Sequence, residues 1–163
     1  MTRTVNVSDV IDNQPVGAFQ LRVFFLCAAV LFGAVVGWDR ESQGKIAGFR
    51  THMLVSMGAA VFVIAALQLS LRASGDDGVS VDTARIIEGV ATGIGFLGAG
   101  TIVKAKGKVE GVTTAASVWV TGAIGAACGA RLYTLAVAAT VFVLFVLWPA
   151  AKFKEEAIEN HHE

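Results

Sequence analysis

The chain has 163 residues, 55% of them hydrophobic and 16% charged, with a mean hydropathy of +0.65. Average soluble proteins carry about 25% charge, and the charges here gather between long apolar runs, so the composition describes a single integral membrane domain with little room for a soluble module. The formal net charge is zero, which gives the molecule as a whole no electrostatic reason to bind nucleic acid or an acidic partner.

Residues 1–18 form a polar tail containing Asp9, Asp12 and Asn13-Gln14-Pro15, with space for an interfacial turn around Val10-Ile11. The tail has no basic n-region of the kind a signal peptide carries. Residues 19–38 make the first span, since about 20 apolar residues cross the hydrocarbon. Gln20 and Arg22 sit where they can snorkel from its start, and Gly33 and Gly37 form a small-xxx-small pair near its end. The polar stretch 39–52 follows, and then a second span at 53–71, apolar apart from Ser56 and Gln68. Residues 72–78 are a loop. Ser80 or Asp82 offers an N-cap for the third helix, with Arg85 in its first turn.

The third span, 86–103, holds Gly89, Gly93, Gly95, Gly98 and Gly100. Glycine weakens a helix in water but lets a neighbouring backbone come close in lipid, so this span is expected to be the central one. Residues 93–98 also match G-x-G-x-x-G. That fingerprint requires a preceding strand, a following soluble helix and an acid about 20 residues on. The flanks are apolar and Glu110 comes too early, so a dinucleotide site is excluded.

A basic turn at 104–108 leads to the fourth span, 112–130, on which Thr114, Ser117, Thr121 and Gly125 share a face. Arg131 marks its end. The fifth span, 132–151, has Tyr133 and Trp148 near opposite ends as interfacial anchors, and residues 152–163 are a charged tail. The fold class is therefore an all-α membrane protein, a compact bundle of five transmembrane helices, with residues 19–151 as the membrane domain. On this topology Cys27 and Cys128 differ in depth by roughly 9 Å, beyond disulfide reach, and are read as free thiols.

Five spans put the termini on opposite sides. Arg40, Lys45, Arg50, Lys104, Lys106, Lys108, Lys152 and Lys154 fall on one side, against Arg3, Arg22, Arg72, Arg85 and Arg131 on the other. The positive-inside rule then places the N-terminus outside and the C-terminus in the cytoplasm.

Asp39, Arg40, Glu41, Arg50, Thr51, His52, Thr113 and Thr114 are expected to meet at the cytoplasmic face as a site for an ion, a lipid headgroup or a partner protein. Lys45 and the turn lysines read as ordinary headgroup contacts. Glu88 stands near the other face. An ionisable residue inside a span is costly and often functional, but an i,i+3 pair with Arg85 explains it equally well. His52 reads as a polar residue at a helix start rather than a ligand, and His161-His162 as tail residues. No nucleophile–base pair, metal-ligand spacing or phosphate loop is present in the sequence, so no enzyme, cofactor or metal site is expected. Gly33, Gly37, Gly89, Gly93, Gly95, Gly98, Gly100 and Gly125 are the expected packing glycines.

Three blocks occur in order: Arg50-Thr51-His52-Met53-Leu54-Val55, Gly93-Ile94-Gly95-Phe96-Leu97-Gly98-Ala99-Gly100 and Gly111-Val112-Thr113-Thr114-Ala115-Ala116-Ser117-Val118-Trp119. Together they resemble the membrane domain of the MgtC/SapB family over roughly residues 19–150. The resemblance implies a multi-pass bacterial inner-membrane protein with about five spans. It also implies roles in growth at low magnesium, acid resistance, virulence and stress adaptation inside a host, and restraint of the F-type ATP synthase as a protein partner. The chain departs from the family pattern at Trp38-Asp39-Arg40-Glu41, where an aliphatic residue and a Glu before Arg are usual. It also departs at Glu88, where a neutral residue is usual, and the family's cytoplasmic C-terminal domain is not expected to follow the fifth span.

Two functions fit. One is a non-transporting regulator that acts through helix–helix contacts with another membrane complex or as a homo-oligomer, a dimer being the simplest. The alternative is a magnesium or proton transporter or channel that uses Glu88 and the Asp39/Glu41 region, with glycine breaks exposing backbone carbonyls between them.

Overall fold

A computed structural model describes residues 16–73, 82–105 and 108–159. The tail at 1–15, the loop at 74–81 with Ser80, the Lys106-Gly107 pair and His161-His162 lie outside the described residues. The elements are α1 (Val16–Ser42), α2 (Phe49–Ala73), α3 (Thr83–Ala99), β1 (Val103–Ala105), β2 (Lys108–Glu110), α4 (Val112–Gly129) and α5 (Tyr133–Glu159). Among the described residues three segments are long and apolar enough to cross a membrane, Phe19–Ser42, Phe49–Ser70 and Val112–Gly129, with Tyr133–Trp148 a shorter apolar segment.

Helix α1 runs further than expected and α2 starts earlier, so most of the stretch 39–52 is helical and the true loop is short. Gly44 turns that loop in the left-handed region, at φ 63°, where only glycine is unstrained. Helix α3 begins on Asp82, whose carboxylate accepts from the N–H groups of Ala84 at 3.0 Å and Arg85 at 3.4 Å.

The third helix also stops sooner than the expected 103. Its last turn tightens, with the N–H groups of Thr101 and Ile102 reaching the carbonyls of Gly98 and Ala99, and Thr101 Oγ1 donating to Gly98 O at 2.7 Å. The basic turn is a short antiparallel hairpin, pairing Val103 with Glu110, Lys104 with Val109 and Ala105 with Lys108. Alternation of valine with charge over these residues matches the two-residue period of a strand.

The centre of the bundle is α4, not α3 as the glycine density had predicted. Helix α4 buries Thr114, Ser117, Val118, Thr121, Ile124, Gly125 and Cys128, whereas α3 buries only Ile94 and Gly98. The main apolar core joins Ala29 and Val36 of α1, Ala60 of α2, Ile124 and Cys128 of α4 and Ala136 and Leu147 of α5. A smaller one joins Ala59, Ile94 and Val118. Both cysteines are free, Cys27 exposed and Cys128 buried.

Glycine sets the closest approaches. A Cβ at Gly33 would stand 2.6 Å from the carbonyl oxygen of His52, and one at Gly37 2.7 Å from the Cα of Phe49, so α1 lies directly on the backbone of α2. A Cβ at Gly125 would overlap the Ser56 carbonyl, and one at Gly129 would meet that of Ala60 at 2.7 Å, which seats α4 on the other side of α2.

Candidate polar site

The polar residues at the end of α1, the start of α2 and the start of α4 gather at one end of the bundle. Arg40 is 1% exposed, and its Nε and Nη2 both donate to Asp39 Oδ2, the first at 2.9 Å. Gln43 Nε2 donates to the other carboxylate oxygen at 3.0 Å. A charge this deeply enclosed is stable only when paired and hydrogen-bonded, and a residue one position away on the same helix supplies the pair. Glu41 has a different task. Its Oε2 accepts the N–H of Phe49 at 2.7 Å, capping α2 from a distance, while Gly48 leaves room for the carboxylate.

His52 is fully buried. Its Nδ1 lies 2.8 Å from the carbonyl oxygen of Gly48 and its Nε2 lies 3.1 Å from Ser117 Oγ. A carbonyl only accepts, so Nδ1 carries the proton that it donates. The Ser117 hydroxyl then has two acceptors in reach, the Thr114 carbonyl at 2.8 Å and His52 Nε2, and one proton to give. Thus His52 joins α2 to α4 through the bundle interior, a structural part larger than the polar helix start expected of it.

The other expected site residues scatter. Arg50 and Thr51 are exposed on the first turn of α2, and Thr113 is exposed while its neighbour Thr114 is buried. Thr113 and Thr114 line a cleft of about 390 Å³ with Gln43, Lys45 and Glu110. Glu88 is exposed on α3 and far along the chain from that cluster. The expected Arg85–Glu88 pair is not the one formed, because Arg85 Nε turns back to Asp82 Oδ2 at 4.0 Å. Among the described residues no three of His, Cys, Asp and Glu come together as metal ligands.

Gln43, Ser117 and Glu110 were missed as site residues. Ser117 was readable only as part of a packing face, since nothing in its spacing shows that His52 is its partner 65 residues away. The opposite end of the bundle holds its own polar contacts. Arg22 Nη2 donates to Gln68 Oε1 at 2.9 Å, and the Arg131 guanidinium lies 5.1 Å from the centre of the Phe25 ring. The enclosed Tyr133 hydroxyl has no hydrogen-bond partner among the described residues.

Comparison with known proteins adds a family to this geometry. The model of the MgtC family matches residues 26–156. The protein SrpB of Synechococcus elongatus is 42% identical over 134 residues, covering 76% of this chain and 71% of its own length. YhiD of Escherichia coli, described as a putative magnesium transporter, is 42% identical over 122 residues, 75% of this chain and 56% of its own. MgtC of Brucella abortus is 41% identical over 121 residues, 74% of this chain and 48% of its own. The chain thus spans about half the length of the last two. No solved structure matches.

Proposed function

The chain belongs to the MgtC family, and from that premise we propose that it is a non-enzymatic regulator in the bacterial inner membrane, acting through helix–helix contact with another membrane protein under magnesium, acid or host stress. The observation that carries this reading is an open groove of about 510 Å³ between α2 and α3. Gly58, Gly89 and Gly93 line it with Phe62, Ile94 and Leu97, and a Cβ at any of the three glycines would meet no atom within 4 Å. Small residues in a lipid-facing groove are the surface on which a second helix packs closely. The occupant is an apolar helix of a partner, for which the family resemblance suggests the F-type ATP synthase. On the proposed orientation the Asp39–His52 end faces the cytoplasm and the start of α1 faces outward.

The interior supports regulation over transport. Between the two ends α1, α2 and α4 touch backbone to backbone at Gly33, Gly37, Gly125 and Gly129. The hydroxyls of Ser56, Thr121 and Thr140 each donate to a backbone carbonyl at 2.7–2.8 Å, and that of Ser117 lies between the Thr114 carbonyl and His52 Nε2. The second reading, a magnesium or proton carrier, draws on the name given to YhiD and on Glu88 and Asp39 at different helix ends.

Reconstitution in liposomes separates the two. The regulator predicts no magnesium or proton flux under either gradient, and a photo-crosslinker at Leu97 that captures a defined membrane protein in native membranes. Flux abolished by Glu88→Gln or Asp39→Asn overturns it.

A further inference from the structure

Helix α4 closes on a residue that its backbone does not favour. The N–H of Leu132 reaches the carbonyl oxygen of Ala127 at 2.8 Å and that of Arg131 the carbonyl oxygen of Cys128 at 3.0 Å, the pair of bonds with which a helix ends on a left-handed residue. Glycine usually fills that position. Here it is Arg131, at φ 65°, where the Cβ of any other residue crowds the backbone. Among the described residues no other non-glycine residue has a positive φ. A cation beyond a helix end suits the helix dipole, but that requires only a charge nearby and no strain. Strain of this kind persists where the surroundings hold a residue to a task.

The surroundings of Arg131 are a platform and a cleft. Its guanidinium lies 5.1 Å from the centre of the Phe25 ring. Phe25 is itself buried and packs against the rings of Phe24 at 6.3 Å and Tyr133 at 5.8 Å, so the platform is fixed. Phe25 and Arg131 both line a cleft of about 240 Å³, together with Arg22 and Gln68. Arg22 precedes Phe25 by three residues on α1, about 4.5 Å along the axis, so two guanidinium groups reach one cleft from different parts of the fold. Arg22 Nη2 donates to Gln68 Oε1 at 2.9 Å, and Gln68 then has only its amide N–H groups to offer. Among the described residues no carboxylate lines the cleft, and Arg131 forms no ion pair. Ile64 and Leu67 supply the apolar part of the wall.

We propose that this cleft binds an anionic glycerol phosphate group, of the kind carried by phosphatidylglycerol, between Arg22 and Arg131. Two neighbouring guanidinium groups repel each other, and an anion between them turns that repulsion into two pairings. A tetrahedral phosphate offers oxygens to forks that arrive from different sides, whereas a single fork fills a planar carboxylate. The Gln68 amide donates to a further oxygen, and the glycerol and first methylenes of a lipid lie along Ile64 and Leu67. A zwitterionic headgroup fits less well, because its ammonium meets two cations and no carboxylate. The inference goes beyond the regulator reading and stands whether or not that reading holds.

The test is calorimetric titration of the full chain in detergent with short-chain phosphatidylglycerol, short-chain phosphatidylethanolamine, glycerol 3-phosphate and decanoate. Saturable binding of phosphatidylglycerol is expected, about tenfold tighter than that of phosphatidylethanolamine, a difference on the scale of one charge-assisted hydrogen bond. Arg131→Gly is the decisive variant. It relieves the left-handed backbone, so the melting transition should hold or rise, while the affinity for phosphatidylglycerol falls about tenfold or more. Arg131→Lys keeps the charge without the fork and should lose less, and Arg22→Gln should weaken binding as Arg131→Gly does. Glycerol 3-phosphate binding as tightly as the lipid supports the same site with a ligand drawn from solution. Equal affinity for the two lipids, equal affinity for decanoate, full affinity in Arg131→Gly or no saturable binding of any probe overturns the proposal.

Discussion

Helices α3 and α4 are both rich in glycine, and the bundle uses them in opposite ways. On α4, Gly125 and Gly129 lie against the backbone of α2 so closely that a methyl group at either would collide with a carbonyl oxygen. On α3, Gly89 and Gly93 meet nothing within 4 Å, Gly95 only the edge of Trp119 at 3.9 Å, and Gly98 the carbonyl oxygen of Ala115 at 3.1 Å. The number of glycines on a helix is therefore no guide to which of them carry packing. What decides is whether the facing helix offers backbone at that height or only a side chain.

The sharpest way to break this comparison is Gly125→Ala. Backbone atoms of Ser56 cannot swing aside as a side chain can, and overpacking of even flexible cores costs 1–3 kcal/mol. The expected loss is about 3 kcal/mol or more, read as a collapse of the melting transition in detergent and the appearance of aggregates on size exclusion. An unchanged transition would mean that α4 does not seat on α2 in this way.

Next in size is Asp39→Asn. Removing one partner of a buried ion pair costs 3–5 kcal/mol because the other charge is left uncompensated. Asp39 is 23% open to solvent, so about 2 kcal/mol is the fitting expectation for this pair. Asp39→Asn with Arg40→Met should recover part of the loss, which a site needed only for function would not show.

The pairing of Asp39 with Arg40 was within reach of the sequence, because adjacent opposite charges at a helix end have few other partners. The bundle class was legible too, since long apolar runs between charge clusters leave no other way to satisfy the backbone in lipid. What could not be read was which helix lies innermost. Glycine on α3 and the Thr114–Ser117–Thr121 face on α4 are equally good seams on paper, and only the meeting of Gly125 with Ser56 and of His52 with Ser117 selects α4. The hairpin at 103–110 was hidden for a related reason. Its strands are short, and the lysines that marked it as a turn also alternate with valines in the register of a strand. The cap of α2 by Glu41 was invisible because the acceptor stands eight residues before the donor, outside the local capping patterns.

That cap provides a smaller contrast between the two helix starts. Glu41→Gln removes a charged acceptor from the N–H of Phe49, and Asp82→Ala removes the local cap of α3. Lost N-caps typically cost about 1 kcal/mol. The α2 variant should show this loss in global melting, since α2 lies between α1 and α4. The α3 variant should show it mainly as faster amide exchange in the first turn of α3, because that helix buries little. Equal shifts in global melting would mean that α3 is as tightly held as α2.

Gly93 tests the comparison from its quiet side. With no atom in range of a Cβ there, Gly93→Ala should leave melting of the isolated chain unchanged or raise it by about 0.5–1 kcal/mol, the usual gain from replacing a helical glycine. Gly93→Leu should be tolerated in the same assay, because the groove has room for the side chain. Its effect should appear only in native membranes. If a helix of another protein packs on Gly58, Gly89 and Gly93, the leucine fills the seam and crosslinking from Leu97 is lost while the fold persists. If that crosslink survives Gly93→Leu, the groove is not where the partner sits. If Gly93→Leu instead lowers the melting of the purified chain, α3 packs against its own bundle more tightly than its burial shows.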